Sequence, residues 1–124
     1  MIVLIARYEL DPAALPGLKP LLLQTMRDTW DGSDCLSYSI AIEDEAAGVV
    51  TIVERWRSEA ALLAYLATPP MLAFHDALQP AIITFDARIY DVAGERPLPP
   101  PPGRSAAPPP RLTLVYAGNG ISAA

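Results

Sequence analysis

The segment Val49–Leu78 constrains the fold of this chain most, because the spacing of its apolar residues changes from that of a strand to that of a helix. From Val49 to Trp56 the side chains alternate between two faces, and β-branched residues dominate, which predicts a strand. Ser58 stands where it can cap the next helix, and Glu59 falls in the first turn, near the positive helix end. This part therefore predicts a strand that leads directly into a helix.

A helix broken by two prolines follows that strand. Leucines recur at helical spacing before Pro69-Pro70, and proline is well suited to the first position of a new helix. After the break, one helical stripe is formed by Met71, Phe74, His75 and Leu78. The chain's only histidine therefore lies on an apolar stripe, and we expect this stripe to form part of the wall of any chemical site.

The remaining segments complete a β-α-β-β-α-β order. Alternating patterns predict strands over 2–10, 36–42 and 82–92, and a helix is predicted from about Gly17 to Trp30, with Leu18, Leu21, Leu22, Thr25 and Met26 inward. This order predicts an α+β fold of the ferredoxin-like type, an antiparallel sheet with its helices on one face.

The strands carry apolar side chains on both faces, but the helices can cover only one face. The other would be an exposed apolar patch in a monomer, and a second subunit placed sheet to sheet would cover it. Burial of about six large apolar side chains per subunit contributes on the order of 10–15 kcal/mol before ordering and association costs. We therefore expect a homodimer.

Composition and charge exclude several classes of protein. The formal net charge of −5 argues against a nucleic-acid partner, and a neutral apolar ligand fits such a chain better than an anion. Cys35 is the single cysteine, follows a turn, and has no activating partner in the sequence. No uncharged stretch is long enough to span a bilayer, so we expect no membrane partner and a cytoplasmic location.

The C-terminal third has a different composition. We predict a domain over residues 1–92, a proline-rich arm over 93–110 with polyproline II character at 97–110, and a short strand over 111–117. Residues 118–124 are expected to fray. The arm and strand are expected to dock on a sheet edge, possibly that of the partner subunit, with an unstructured tail as the alternative.

Several segments of residues 1–92 resemble the antibiotic biosynthesis monooxygenase domain. They are the strand end Glu54-x-Trp56, the helix start 58–62, the break Thr68-Pro69, and Gly32–Tyr38 ahead of the second strand. The resemblance implies ferredoxin-like subunits that dimerise through their sheets into an α+β barrel. Two positions depart from the family pattern, since Tyr65 and Pro70 stand where many members have histidine.

The resemblance implies oxidation of a hydrophobic phenol, quinol or polyketide-type substrate by O₂ without a cofactor or metal. The protein then supplies an apolar pocket, a base or hydrogen bond that favours the substrate anion, and exclusion of water. We expect two catalytic residues, His75 and Tyr65. The expected substrate-binding residues are Trp56, Glu54, Tyr38 and Phe74.

Other interpretations of the same residues remain open. The chain can be a non-catalytic binder of a small apolar ligand or a structural dimer. It also resembles haem-degrading relatives at His75, which would ligate iron, although it lacks their Trp and Asn. Within the core, His75 can serve packing alone, and Glu54 can pair with Arg7 or Arg88 across the sheet. Tyr8, Tyr38 and Tyr90 can line the cavity between the sheet and the helices.

Overall fold

The computed structural model describes residues 1–30, 34–104, 114–116 and 121–123, with side-chain surroundings for the first two ranges. The chain divides into two compact units, residues 1–93 and 94–124. The first unit contains β1 (Ile2–Leu10), α1 (Leu15–Trp30), β2 (Cys35–Asp44), β3 (Val49–Trp56), α2 (Glu59–Leu66), α3 (Pro69–Leu78), a 3₁₀ turn (Gln79–Ala81) and β4 (Ile82–Asp91).

The four strands form one antiparallel sheet in the order β2-β3-β1-β4. This is the ferredoxin-like βαββαβ arrangement, so the predicted α+β fold is confirmed, with its second helix divided into α2 and α3. Alternate residues of β1, from Ile2 to Leu10, are buried, as are Val50, Ile52, Glu54 and Trp56 of β3. One face of the sheet therefore packs against the helices; we call it the inner face and the opposite one the outer face.

The helix boundaries follow from local chemistry. The Ser58 side chain accepts a hydrogen bond from the Ala61 N–H at 3.1 Å, which confirms the predicted cap of α2. Pro69 opens α3 after Thr68, where no intrahelical N–H bond is lost. Helix α1 begins at Leu15, two residues before the predicted Gly17, because proline is tolerated in a first turn.

Gly48 closes the hairpin between β2 and β3 against the end of β1. Its φ is +75°, and its carbonyl accepts a 2.8 Å hydrogen bond from the Leu10 N–H. A Cβ at this position would lie 2.0 Å from the Leu10 carbonyl oxygen. Both the backbone conformation and the close approach therefore require glycine here.

The second unit contains a short antiparallel pair, β5 (Leu114–Tyr116) and β6 (Ile121–Ala123). Strand β5 falls within the predicted strand at 111–117, of which 111–113 and 117 lie outside the described residues. The expectation that residues 118–124 fray is wrong for β6, which pairs with β5. Residues 105–110 of the predicted polyproline stretch lie outside the described residues, and residues 97–104 form no helix or strand.

Candidate functional site

A cavity of about 160 Å³ lies between the inner face of the sheet and helices α2 and α3. It adjoins a second cavity of about 340 Å³, and both are lined by Tyr8, His75 and Phe85. We call the first the inner cavity and the second the outer cavity. The inner cavity is further lined by the polar side chains Tyr38, Glu54 and Tyr65. Its apolar lining is Leu4, Ala6, Ile52, Leu62, Leu63, Leu66, Met71, Phe74, Ala87 and Ile89.

The position of the cavity follows from the register of the strands. Ala6 of β1 pairs with Ala87 of β4, and both side chains are small. The next inner-face pair along the same strands is Tyr8 with Phe85, whose ring centroids are 4.8 Å apart. The small side chains of the alanine pair project less from the sheet than the rings of the aromatic pair. A space therefore remains between the alanine pair and the helices.

Glu54 is the one acidic side chain in the lining of the inner cavity. It is 4% exposed, and it lies directly opposite Tyr38 of β2 and Leu4 of β1. Its carboxylate accepts a 2.9 Å hydrogen bond from Trp56 Nε1, two residues along the same face. Burial raises the pKa of the Glu54 carboxyl to about 7, while the bond from Trp56 acts in the opposite direction.

The expected pairing of Glu54 with Arg7 or Arg88 is wrong. Arg7 pairs with Glu43 at 3.3 Å, and Arg88 pairs with Asp86 at 3.3 Å. Both arginines alternate onto the outer face, where solvent reaches them, whereas Glu54 shares the inner face with Trp56. Within the described part of the chain, the ion pairs are formed without Glu54.

Three tyrosines surround this carboxyl. The ring centroids of Trp56 and Tyr65 are 4.9 Å apart, and those of Tyr38 and Tyr65 are 6.1 Å apart in an edge arrangement. Burial and the nearby Glu54 charge raise the pKa of Tyr8 to about 12, and they also raise the pKa values of Tyr38 and Tyr65. Neutral phenols therefore face one titratable carboxyl near neutral pH.

The hydroxyl of Tyr65 is tied to helix α1. Tyr65 Oη lies 2.6 Å from Thr29 Oγ1, and Thr29 Oγ1 lies 2.7 Å from the Thr25 carbonyl oxygen, to which it donates. Thr29 is buried. It continues the Leu22 and Met26 stripe of α1, so the helical period points to it, but the predicted inward set stops at Met26.

His75 stands at the boundary between the two cavities. It is partly buried, on the stripe whose other members Met71, Phe74 and Leu78 are buried, as its spacing predicts. Its ring centroid lies 5.8 Å from that of Phe74. His75 therefore lines both cavities, whereas Glu54 lines the inner cavity and not the outer one.

The structure brings most of the predicted site residues to one place. Glu54, Tyr38, Tyr65, Phe74 and His75 all line the inner cavity. Trp56 lies just behind them, in contact with both Glu54 and Tyr65. The arrangement can accept a proton from a hydroxyl buried among aromatic rings.

The other predicted residues have different outcomes. Tyr8 lines both cavities, but the expectation for Tyr90 is wrong, because Tyr90 pairs with Val3 on the outer face and is exposed. Burial and the Glu54 charge raise the pKa of Cys35 to about 11, which keeps the thiol protonated. Among the described residues, no group of three or more His, Cys, Asp or Glu side chains is placed to hold a metal ion. No helix in the described ranges is long and apolar enough to cross a membrane.

Fold and site together define a ferredoxin-like α+β domain with an aromatic cavity beneath its second, broken helix. The model of the antibiotic biosynthesis monooxygenase family matches residues 1–77. The chain belongs to this family.

Solved structures with similar folds carry the same family description. A putative antibiotic biosynthesis monooxygenase from Deinococcus radiodurans is 20% identical, with a TM-score of 0.72 over 81% of this chain and 100% of that one. A putative antibiotic biosynthesis monooxygenase from Caulobacter crescentus is 19% identical, with a TM-score of 0.66 over 75% and 90% of the two chains. At these identities the similarity concerns the fold. Comparison with curated protein sequences gives no match.

Proposed function

We propose that this chain is a cofactor-independent monooxygenase-like protein that oxidises a hydrophobic phenol or quinol with O₂. The observation that carries the proposal is the buried Glu54 carboxyl, held by Trp56 at 2.9 Å and facing a cavity lined by aromatic and apolar side chains. A buried carboxyl with a perturbed pKa in a cavity is a frequent sign of a functional site. In this proposal Glu54 is the proton acceptor, and His75 and Tyr65 orient the substrate.

The chemistry begins with removal of the phenolic proton. Glu54 takes the proton, and the resulting anion transfers an electron to O₂. The radical and superoxide then combine to a peroxide, which loses water to leave the carbonyl product. With anthrone as the substrate, one O₂ is consumed, and anthraquinone and one water are formed. An apolar cavity favours this route because it excludes water from the reactive anion and the peroxide.

The sizes of the two cavities suggest how a substrate would lie. A cavity of about 150 Å³ can hold a molecule the size of benzene. The inner cavity, at about 160 Å³, fits one aromatic ring, and further rings would extend into the outer cavity beside His75. A polycyclic phenol therefore fits the two cavities together.

Oxygen uptake with anthrone tests the proposal. Wild type is compared with Glu54→Gln, which keeps the shape of the side chain but removes the base. We expect Glu54→Gln to lower the rate by about 10²- to 10⁴-fold, the usual contribution of a general base. The wild-type rate should also rise with pH through about 7, where the carboxyl ionises.

Two further variants separate the roles within the site. His75→Ala tests a residue that the sequence predicts as catalytic, and we expect it to weaken binding more than turnover. Glu43→Gln is the matched control, since Glu43 lies exposed on β2 outside the cavity. Equal rates for wild type and Glu54→Gln would remove Glu54 from the mechanism, and a larger loss in His75→Ala would transfer its role to His75.

Binding without turnover would instead support a non-catalytic ligand-binding protein. The observation that favours this alternative is Tyr65, which stands at a position where the resemblance implies histidine. A thermal shift produced by anthrone, in the absence of O₂ uptake above the spontaneous rate, would identify this case.

We also propose that a second copy covers the outer face. On that face Ile5 of β1 is paired with Val53 of β3, and Tyr90 of β4 is paired with Val3 of β1. Ile5, Val53 and Tyr90 are all exposed. This face also carries Arg7 and Arg88, so it is less apolar than the sequence predicted. Val53→Glu should give a monomer by sedimentation velocity at micromolar concentration. Leu98→Glu, at a site 93% exposed, is the control, and a monomeric wild type would contradict the dimer.

A further inference from the structure

The hydroxyl groups beside Glu54 form a chain with a fixed direction. A threonine hydroxyl has one proton, and a backbone carbonyl can only accept a hydrogen bond. Thr29 donates its proton to the Thr25 carbonyl at 2.7 Å, so at 2.6 Å it must accept from Tyr65. The single proton of Tyr65 therefore points away from the cavity, toward α1.

Two hydroxyl protons thus run one way, from Tyr65 to Thr29 and from Thr29 to the Thr25 carbonyl. The Tyr65 oxygen keeps a lone pair but has no proton free for a ligand. Glu54, when ionised, is also an acceptor only. The side chains that can still donate are Tyr38, whose ring lies against that of Tyr65, and Tyr8 and His75, which lie at the boundary with the outer cavity.

We infer that Tyr65 and Glu54 form a hydrogen-bond acceptor pair in the inner cavity that selects aromatic ligands carrying a hydroxyl donor, and that Thr29 is the positioning residue that makes Tyr65 an acceptor. The inference deepens the proposed function, on which its connection to catalysis rests. A phenol or quinol supplies the donor, whereas a quinone or an aryl ether brings acceptors alone. The site therefore binds the reduced substrate and disfavours the oxidised product, which promotes product release.

Binding of matched probes under anaerobic conditions tests this inference without turnover. The probes are 1-naphthol, 1-methoxynaphthalene and 1,4-naphthoquinone, titrated by calorimetry at pH 8, where Glu54 is mostly ionised. Buried polar groups left without partners cost affinity, so we expect 1-naphthol to bind at least about tenfold more tightly than the other two. Equal affinity for the three probes, or no binding of any, would overturn the inference.

Substitutions of Thr29 test its positioning role. Thr29→Val removes the acceptor for the Tyr65 proton, which is then free to turn toward the cavity, so the affinity ratio of 1-naphthol to 1-methoxynaphthalene should fall. Thr29→Ser keeps the hydroxyl and should restore the wild-type ratio. A loss of packing alone would weaken both probes together and leave the ratio unchanged, which would overturn the role of Thr29.

Two additions keep the outcomes distinct. Tyr65→Phe removes the phenol oxygen of the acceptor pair and should also lower the ratio, so the test stands even if Thr29→Val fails to fold. Oxygen uptake with anthrone is measured on the same preparations. Selective binding without uptake would uphold the inference and overturn the proposed enzyme, while uptake without selectivity would do the reverse.

Discussion

Charged side chains are exposed to solvent on the outer face of the sheet, whereas the inner face carries a buried one. On the outer face, Arg88 pairs with Asp86 in solvent, and Arg7 pairs with Glu43. On the inner face, Glu54 is 4% exposed and is held by a neutral indole N–H. Charged groups on the outer face thus keep their ordinary solvation, whereas the inner face carries a carboxyl that burial disfavours.

This difference identifies Glu54 as a position at which burial destabilises the folded chain. Ionising a buried carboxyl without a cation costs free energy, and proteins usually avoid it by pairing the charge or leaving the group protonated. The raised pKa of Glu54, about 7, records that cost. An apolar residue at position 54 would remove the cost, whereas the proposed function requires the carboxyl of Glu54 as a base.

The largest expected effect is the difference between wild type and Glu54→Gln in how the free energy of unfolding depends on pH. The pKa of Glu54 is raised in the folded chain from 4.5 to about 7. The contribution of the protonated Glu54 carboxyl to stability is therefore fully present below pH 4.5 and is lost as pH rises through 7. Because one pKa unit corresponds to 1.36 kcal/mol, wild type should lose about 2 to 3 kcal/mol relative to Glu54→Gln between pH 5 and pH 8.

Urea unfolding of both proteins at pH 5 and pH 8 measures this loss. Protein concentration must be kept the same throughout, because dimerisation would add to the apparent stability. Comparing the two proteins at each pH cancels the contributions of the other carboxyls. Parallel stability curves for the two proteins would mean that Glu54 titrates as an exposed carboxyl does, and the contrast between the faces would disappear.

A smaller effect is expected from Trp56→Phe. The Trp56 N–H stabilises the ionised form of Glu54, so its loss should raise the pKa of that carboxyl further. Hydrogen bonds to charged groups contribute about 1.5–3 kcal/mol, and the additional loss of stability at pH 8 should be of this size. The same urea titration, repeated at several pH values, gives the midpoint of the change.

Trp30→Phe is the matched control for that variant. Trp30 Nε1 donates to the Tyr38 carbonyl at 2.6 Å, which is a neutral acceptor. Its removal should lower stability equally at all pH values. A shift of the pH midpoint in Trp30→Phe as large as in Trp56→Phe would show that the effect comes from packing in this region.

Much of this contrast could be predicted from alternation alone. The pattern of β3 places Glu54 on the face of Ile52 and Trp56, and the pattern of β1 places Arg7 on the other face with Ile5. The expected Glu54–Arg7 pair is inconsistent with those patterns. Side chains on opposite faces of one sheet cannot meet, so the alternation itself excludes this pair.

Other features depend on contacts that a periodic pattern does not contain. The cavity exists because Ala6 and Ala87 happen to be paired across β1 and β4, and the register is needed to see this. The directed bonds of Thr29 join α1 to α2, two elements far apart in the sequence. The sequence could predict the residues of the site but not the orientation of their protons.

The smallest expected effect comes from Glu43→Gln, and its sign is opposite to that of Glu54→Gln. Hydrogen bonds from Thr51 and Arg7, and the Arg7 charge, lower the pKa of Glu43. Its contribution to stability is therefore present above pH 4.5 and is lost as pH falls through the lowered pKa. Solvent and salt screen an exposed pair, so the urea midpoint at pH 7 should change little, and less again at high salt. A salt-independent change as large as that of Glu54→Gln would show that the proposed second copy also covers the Arg7–Glu43 pair, since only a desolvated pair resists screening.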